Sequence, residues 1–428
     1  MGVFSVELLY ALPIILTPFT FGFIIGYTSP ALPYYEEKWN ISSIQSTLFN
    51  AITALFACIG PYLTAFLLKF FGRRVAIVII DIINIISWAC LFALSKKIFW
   101  FGIIIRAVHG IILGACTAIG PLYLVEIAPP SYVEFYGTLN QLSIVIGIVI
   151  LYIIGEYYHP WVLHILAIAT SVIQIIFIWF VPETSPLIDK TTSSTEKESS
   201  DEDKGDIKES IFDKAYIKKV FIMIAVMASQ QLSGANAMIT NLSSLFESAH
   251  VSIPSGLAAA ITMFAQALAC IVAAAITGKI KRRIMWLMST ITCFVSLFVY
   301  ALNQKFEWSS ALSIVLQFLY QFGFGIALSP MPWYSSPEMF PPALRPMASS
   351  INSMTSWLCA FIIIFVYPEM KKHIGDFGAF LIFSADALFA IIFGSIVIAE
   401  PSKDDENLDD NNDNVDNNDA EDSEAKND

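Results

Sequence analysis

Glu126-Ile127-Ala128-Pro129-Pro130 recurs, little changed, as Glu338-Met339-Phe340-Pro341-Pro342. Each copy ends a long apolar run. A second pair keeps the same distance: Gly72-Arg73-Arg74 follows one apolar run and Lys281-Arg282-Arg283 follows another. In both pairs the copies lie about 210 residues apart, half of the apolar part of the chain. A duplication of that period predicts two equivalent units in parallel orientation.

The surroundings make those units membrane bundles. The 428 residues are 56% hydrophobic and only 14% charged, where a soluble domain carries about 25% charged residues. Mean hydropathy is +0.66. Scanning for runs of about 20 apolar residues gives twelve, over 8–29, 44–68, 75–94, 98–124, 136–155, 161–181, 217–246, 255–280, 284–302, 309–334, 346–367 and 377–399. The fold class expected is an all-α integral membrane protein of twelve transmembrane helices in two pseudo-symmetric six-helix bundles. The expected divisions are an N-terminal bundle over 1–181, a mostly disordered polar linker over 182–216, a C-terminal bundle over 217–400, and a disordered acidic tail over 401–428.

An even number of spans puts both termini on one side. Lys69, Arg73 and Arg74 after span two, Lys279, Lys281, Arg282 and Arg283 after span eight, and the lysine-rich loop after span six share that side. The basic bias marks it as cytoplasmic. On the opposite face Asn40-Ile41-Ser42 has the spacing of a glycosylation acceptor. The start, Met1 to Glu7, carries no positive region of the kind a cleavable signal peptide needs. Net charge is −12, but the tail alone holds twelve acids and two lysines. The rest is near neutral, so no nucleic-acid surface is implied. The six cysteines fall within apolar runs, as packing thiols do, without disulfide or metal spacing.

Span seven carries the costliest residues, Gln230-Gln231-Leu232-Ser233-Gly234-Ala235-Asn236. An unpaired amide taken out of water costs about 4–8 kcal/mol against an alkane reference. Such groups persist where they face a wet cavity or a polar ligand. Each carboxamide offers an acceptor and two donors without ionising, which suits a neutral polyol. On an unbroken helix Gln231 and Asn236 would stand about 140° apart, so they do not share one stripe. Gly234 between them lets the helix soften or unwind.

Taken together, these motifs resemble the sugar porter family of the major facilitator superfamily. The resemblance rests on Gly72-Arg73-Arg74, on Arg106 early in span four, and on Pro121 to Pro129 at its end. Gly137-Thr138-Leu139-Asn140-Gln141-Leu142, Pro182-Glu183-Thr184-Ser185-Pro186, Gln230 to Asn236, Pro330-Met331-Pro332-Trp333 and Pro337-Glu338-Met339-Phe340 complete it. It implies a hexose-transporter-like carrier that works by alternating access, needs no cofactor or metal, is no enzyme, acts as a monomer, and sits in the plasma membrane. It implies that Gln141, Gln230, Gln231, Asn236 and Gln266 bind a monosaccharide, with Trp333 and Trp357 stacking on it or closing over it. It also implies a cytoplasmic gate of Arg73, Arg74, Glu126, Glu183, Arg282, Arg283, Glu338 and Arg345. These would pair across the halves when the carrier faces outward and part when it faces inward.

Departures from the family pattern bear on mode. Proton-linked members carry an Asp after Gly-Tyr in the first helix, near the helix-four Arg. Here Gly26-Tyr27 is followed by Thr28, which cannot ionise, so passive movement of hexose is expected. A proton symporter, with Asp386 as the rival proton site, and a non-transporting sugar sensor remain the alternatives. Thr240 and Asn241 stand where the family often has two aromatics that shut the outer side, and Val133 where it commonly has Arg.

Overall fold

The computed structural model describes residues 6–129, 132–184, 211–276, 279–341 and 344–398, with Val133, Glu134, Tyr334, Ser336, Pro337, Glu338 and Pro346 described by backbone alone. Among these residues, ten helices are long and apolar enough to cross a bilayer. A bent pair, Ser43–Ala57 and Gly60–Phe70, meeting at 41°, adds another. The last helix, Met347–Val397, passes through Gly375 at φ 69° and ψ 177°, backbone that only glycine adopts readily. It therefore makes two crossings, spans eleven and twelve, and the total agrees with a twelve-helix major facilitator fold. The other crossings are span one Val6–Trp39, span two the bent pair, span three Arg73–Ala93, span four Lys96–Ile127, span five Phe135–Tyr157 and span six Pro160–Phe180. After the linker come span seven Ile217–Ser248, span eight Ser255–Ile276, span nine Arg282–Phe306 and span ten Ser310–Trp333.

Span three shows how these helices sort their faces. Ala76, Ile77, Ile80, Asp81, Asn84, Ser87 and Trp88 are buried at steps of three and four, while Ile82 and Ile86 are exposed. Three- and four-residue spacing puts side chains on one helical face. The apolar residues turned outward meet acyl chains, so polar groups collect within the bundle. Phe66, Trp161, Phe221 and Ile396 are likewise exposed on other spans.

The two bundles meet along three seams: span one against span seven, span two against the helix of span eleven, and span five against span eight. Span one continues to Trp39, ten residues beyond its expected end. The extension is held by its amphipathic face, where Tyr35 is buried and stacks on Trp39 at 4.8 Å. A capping box between Ser42 and Gln45 then starts span two.

Both ends of the proposed linker make fixed contacts. Glu183 binds the start of span three, and Ile211 is buried against Val220, Met223 and Phe340. The interior of that linker, 185–210, and the acidic tail, 401–428, lie outside the described residues.

Candidate functional site

Span seven is not one helix. It runs as Ile217–Leu232, turns at Ser233 and Gly234, and resumes as Ala235–Ser248. Gly234 takes φ 84°, and a side chain there would strike the Phe383 ring. The break answers the angular problem posed by the sequence. Gln231 and Asn236 now meet: Asn236 Nδ2 donates to Gln231 Oε1 at 2.6 Å. Gln231 Nε2 in turn donates to Gln230 Oε1 at 3.1 Å and to Ser356 Oγ at 2.7 Å.

Gln230 is placed by a second irregularity. Span ten passes from α-helix into a π-helical stretch, Phe324–Leu328, and Pro330 and Pro332 follow. Pro332 has no N–H to offer Leu328 O, and Trp333 N bonds Pro330 O instead of Ser329 O. Two carbonyls are thus released within the bundle. Gln230 Nε2 satisfies both, at 2.9 Å to Leu328 O and 2.5 Å to Ser329 O. Asn352 Nδ2 donates to Pro332 O at 2.9 Å from span eleven.

Other groups at this level have nothing to bond. Trp357 is 3% exposed, packs 5.9 Å from the Phe21 ring of the opposite half, and leaves its indole N–H without a partner. Gln266 is buried with Oε1 unpartnered. Gln141, on span five, is half-buried, and its side chain makes no hydrogen bond to the described residues. Trp333 lies apart, 38% exposed at the first turn of Met331–Glu338. The structure thus brings Gln230, Gln231 and Asn236 into direct contact with one another. Gln266, Trp357 and Gln141 are held on other spans. A buried donor or acceptor left open is costly, so Trp357 and Gln266 are groups on which a hydroxylated ligand has something to gain.

The halves are sewn together at the end opposite the basic clusters. Thr28 Oγ1 donates to Asn50 Oδ1 at 3.0 Å and to Thr240 O at 3.4 Å, and Asn50 Nδ2 donates to Thr240 Oγ1 at 3.3 Å. Ser29 and Ser243 bond side chain to side chain at 3.0 Å. Tyr152 donates its hydroxyl to Ile239 O. The Glu156 carboxylate takes Gly256 N at 2.5 Å, at the start of span eight. Thr28 and Thr240, two separate departures in the sequence, therefore touch.

At the basic end the described bonds of Arg73, Glu126, Glu183 and Thr184 stay inside the N-terminal half. Arg73 grips Glu126 with two bonds, Nη2 to Oε1 at 2.6 Å and Nε to Oε2 at 3.0 Å. Thr184 Oγ1 donates to the same carboxylate at 2.5 Å. Glu183 accepts the backbone N–H groups of Arg73 at 2.7 Å and Arg74 at 3.1 Å, capping span three where the helix dipole favours an anion. The sequence leads one to expect Arg73, Glu126 and Glu183 to pair across the halves when the carrier faces outward and to part when it faces inward. In this conformation their partners are the neighbouring ends of spans three, four and six, close enough to satisfy them locally. In the C-terminal half Arg345 Nε donates to Phe340 O at 3.1 Å, and Arg282 and Arg283 begin span nine. The Glu338 side chain lies outside the description.

Arg106 is 1% exposed and meets no carboxylate among the described residues. Nη1 donates to Ile24 O at 3.1 Å and Nε to Phe49 O at 3.3 Å, with the Tyr27 and Phe49 rings alongside. On span twelve, Asp386 lies against Ser229 of span seven, and the buried Asp386 Oδ2 and Ser229 Oγ form no hydrogen bond of good geometry. Asn40 is exposed and ends the helix of span one in a left-handed conformation at φ 45°. Asn50 and Ser356 had no sign in the sequence beyond being polar residues in apolar spans.

Comparison with known proteins completes the picture. The family model described as Sugar (and other) transporter matches residues 10–404. The chain is 25% identical to sugar transporter ERD6-like 6 of Arabidopsis thaliana over 423 residues, covering 90% of this chain and 86% of that protein. It is 24% identical to facilitated glucose transporter member 8 of Mus musculus over 435 residues, covering 90% of each. It is 25% identical to the facilitated trehalose transporter Tret1 of Apis mellifera ligustica over 439 residues, covering 93% and 86%. Among solved structures, a D-xylose-proton symporter shares the fold at a TM-score of 0.77 and 18% identity, with 92% of this chain and 99% of that one covered.

Proposed function

This chain belongs to the sugar porter family of the major facilitator superfamily, and we propose that within it the protein is a facilitative carrier of a monosaccharide, a hexose such as glucose. One observation carries that reading. The break at Gly234 assembles Gln230, Gln231 and Asn236 into a contiguous uncharged amide set, with the open N–H of Trp357 and the open carbonyl of Gln266 on neighbouring spans. Neutral donors and acceptors exchange water for sugar hydroxyls without binding a charged solute. Gln141 supplies a contact from the other half. Trp357 supplies an apolar face beside Phe21, and Trp333 closes the basic end. The halves then rock to present the sugar to either side.

The protein lies in the plasma membrane as a monomer, with the basic end and both termini cytoplasmic; Asn40 then faces outside. The sewn end is the outer one, so the conformation is closed to the outside. Movement is passive because Arg106, the buried cation of the first half, is solvated by carbonyl oxygens and aromatic faces instead of paired with a titratable carboxylate. No carboxylate that could exchange a proton stands beside it among the described residues. Asp386 supports the second reading, a proton symporter, since its unpartnered oxygen is buried against Ser229, next to Gln230.

The test is radiolabelled uptake in a host without hexose carriers, offering glucose, fructose, galactose and a disaccharide in parallel. Equilibrative uptake of a hexose that a protonophore leaves intact is expected; accumulation that a protonophore abolishes assigns the symporter. Gln231→Ala strands Asn236 Nδ2, and should raise the half-saturation concentration about tenfold, equivalent to about 1.4 kcal/mol. An unchanged value removes Gln231 from the site.

A further inference from the structure

The amides of span seven do not end at Asn236. Thr240 Oγ1 donates to Asn236 O at 2.9 Å and accepts from Asn50 Nδ2, and Asn50 Oδ1 accepts from Thr28 Oγ1. An unbroken chain of uncharged hydrogen bonds therefore runs from Ser329 O through Gln230, Gln231, Asn236, Thr240 and Asn50 to Thr28. Of its links, the one between Asn50 and Thr240 crosses between the halves. Asn50 is 3% exposed, and both ends of its amide are used there, one toward Thr240 of the opposite half and one toward Thr28 of its own. Nothing apolar stands in for this contact: the positions on span seven are a threonine and Asn241, whose Nδ2 also donates to Thr240 Oγ1 at 3.1 Å.

We propose that Asn50 is a positioning residue that ties the amide site of span seven to the closed outer end, so that the Asn50–Thr240 link holds the ligand-free carrier facing inward. This rests on the alternating-access reading above. When the outer ends part, Thr240 leaves with the C-terminal half, and the Asn50 amide and Thr28 hydroxyl pass to water in the open cleft. A bond between amide and hydroxyl is exchanged for bonds to water at small net cost, which suits a latch that must release in every cycle. A salt bridge in its place would be harder to open in a low-dielectric bundle.

The experiment places spin labels across the outer ends, at Glu37→Cys and Glu247→Cys, in full-length protein whose six native cysteines are replaced by serine. Both label sites are exposed. Distance distributions are recorded in nanodiscs without sugar and with saturating glucose. Asn50→Leu, close in shape but without the amide, should raise the ratio of separated to closed outer ends about three- to tenfold. Thr240→Val, on the other half, should shift it in the same direction, and it keeps the test alive if Asn50→Leu does not fold. The two shifts should be less than additive in combination, because each removes the same link. In transport, both variants should lower the half-saturation concentration measured from outside and raise the one measured from inside. Variants whose distances match the parent, while glucose still moves the labels, overturn the latch and leave the carrier reading standing. Labels that no condition moves overturn both.

Discussion

The outer and basic ends of this molecule are held by different chemistry directed at different neighbours. At the outer end the described bonds that cross between the halves join uncharged groups, apart from those of Glu156. At the basic end the described bonds among Arg73, Glu126, Glu183 and Thr184 are charge-assisted and stay within one half. Charge-assisted hydrogen bonds are about twice as strong as neutral ones. The strong bonds thus fasten the ends of spans three, four and six into one rigid body, while weak neutral ones bridge the surfaces that must separate. A carrier needs this division: halves that keep their shape, and a seam between them that opens at thermal cost.

The largest effect should come from the residue on which the neutral chain depends. Gly234→Ala puts a side chain at φ 84° and into the Phe383 ring. The left-handed backbone costs about 1–2 kcal/mol, and overpacking adds about 1–3 kcal/mol. The break in span seven can then form only under strain, and Gln231 loses Asn236. Uptake should fall more than tenfold at normal surface expression. A variant with full uptake would show that the amides need no break to assemble.

Glu126→Gln tests the other end. Arg73 and Glu126 are 11% and 23% exposed, between a surface pair, worth about 0–1 kcal/mol, and a buried one whose breakage costs about 3–5 kcal/mol. A loss of about 1–3 kcal/mol is expected, seen as a lower melting midpoint of the purified protein, with the outer label distances unchanged. If those distances shift as they do for Asn50→Leu, the basic end takes part in the seam and the contrast between the ends fails.

The sequence shows this division unevenly. Twelve apolar runs and two repeated motifs are enough for the architecture, because lipid leaves so few ways to satisfy a backbone. The amides are legible because carboxamides in a span need a reason. Their contact is not, since helical arithmetic separates Gln231 from Asn236 and only the break at Gly234 rejoins them. Glu183 shows the opposite limit. Its motif marks it, yet its bonds go to backbone N–H groups 110 and 109 residues away, and no spacing rule encodes a cap supplied by a distant loop. Thr28 reads as a lost proton site, and only Asn50 beside it makes it part of a seam. A single asparagine in an apolar span has no pattern to distinguish it from packing.

The smallest effect separates binding from architecture most cleanly. Trp357→Phe keeps an aromatic ring for Phe21 and removes an N–H that has no partner in the ligand-free protein. A buried donor without an acceptor contributes nothing to folding and costs its desolvation. Stability should therefore stay level or rise slightly, apart from the smaller ring volume. If the N–H meets a sugar hydroxyl, the half-saturation concentration should rise about three- to tenfold, the worth of one hydrogen bond. Gln231→Ala differs in kind, because it damages protein bonds and ligand bonds together. A Trp357→Phe carrier that melts no lower than its parent yet binds sugar less well places that indole against the substrate. One that binds equally well confines Trp357 to the contact between the halves, and leaves the amides of span seven to hold the sugar with the remaining groups.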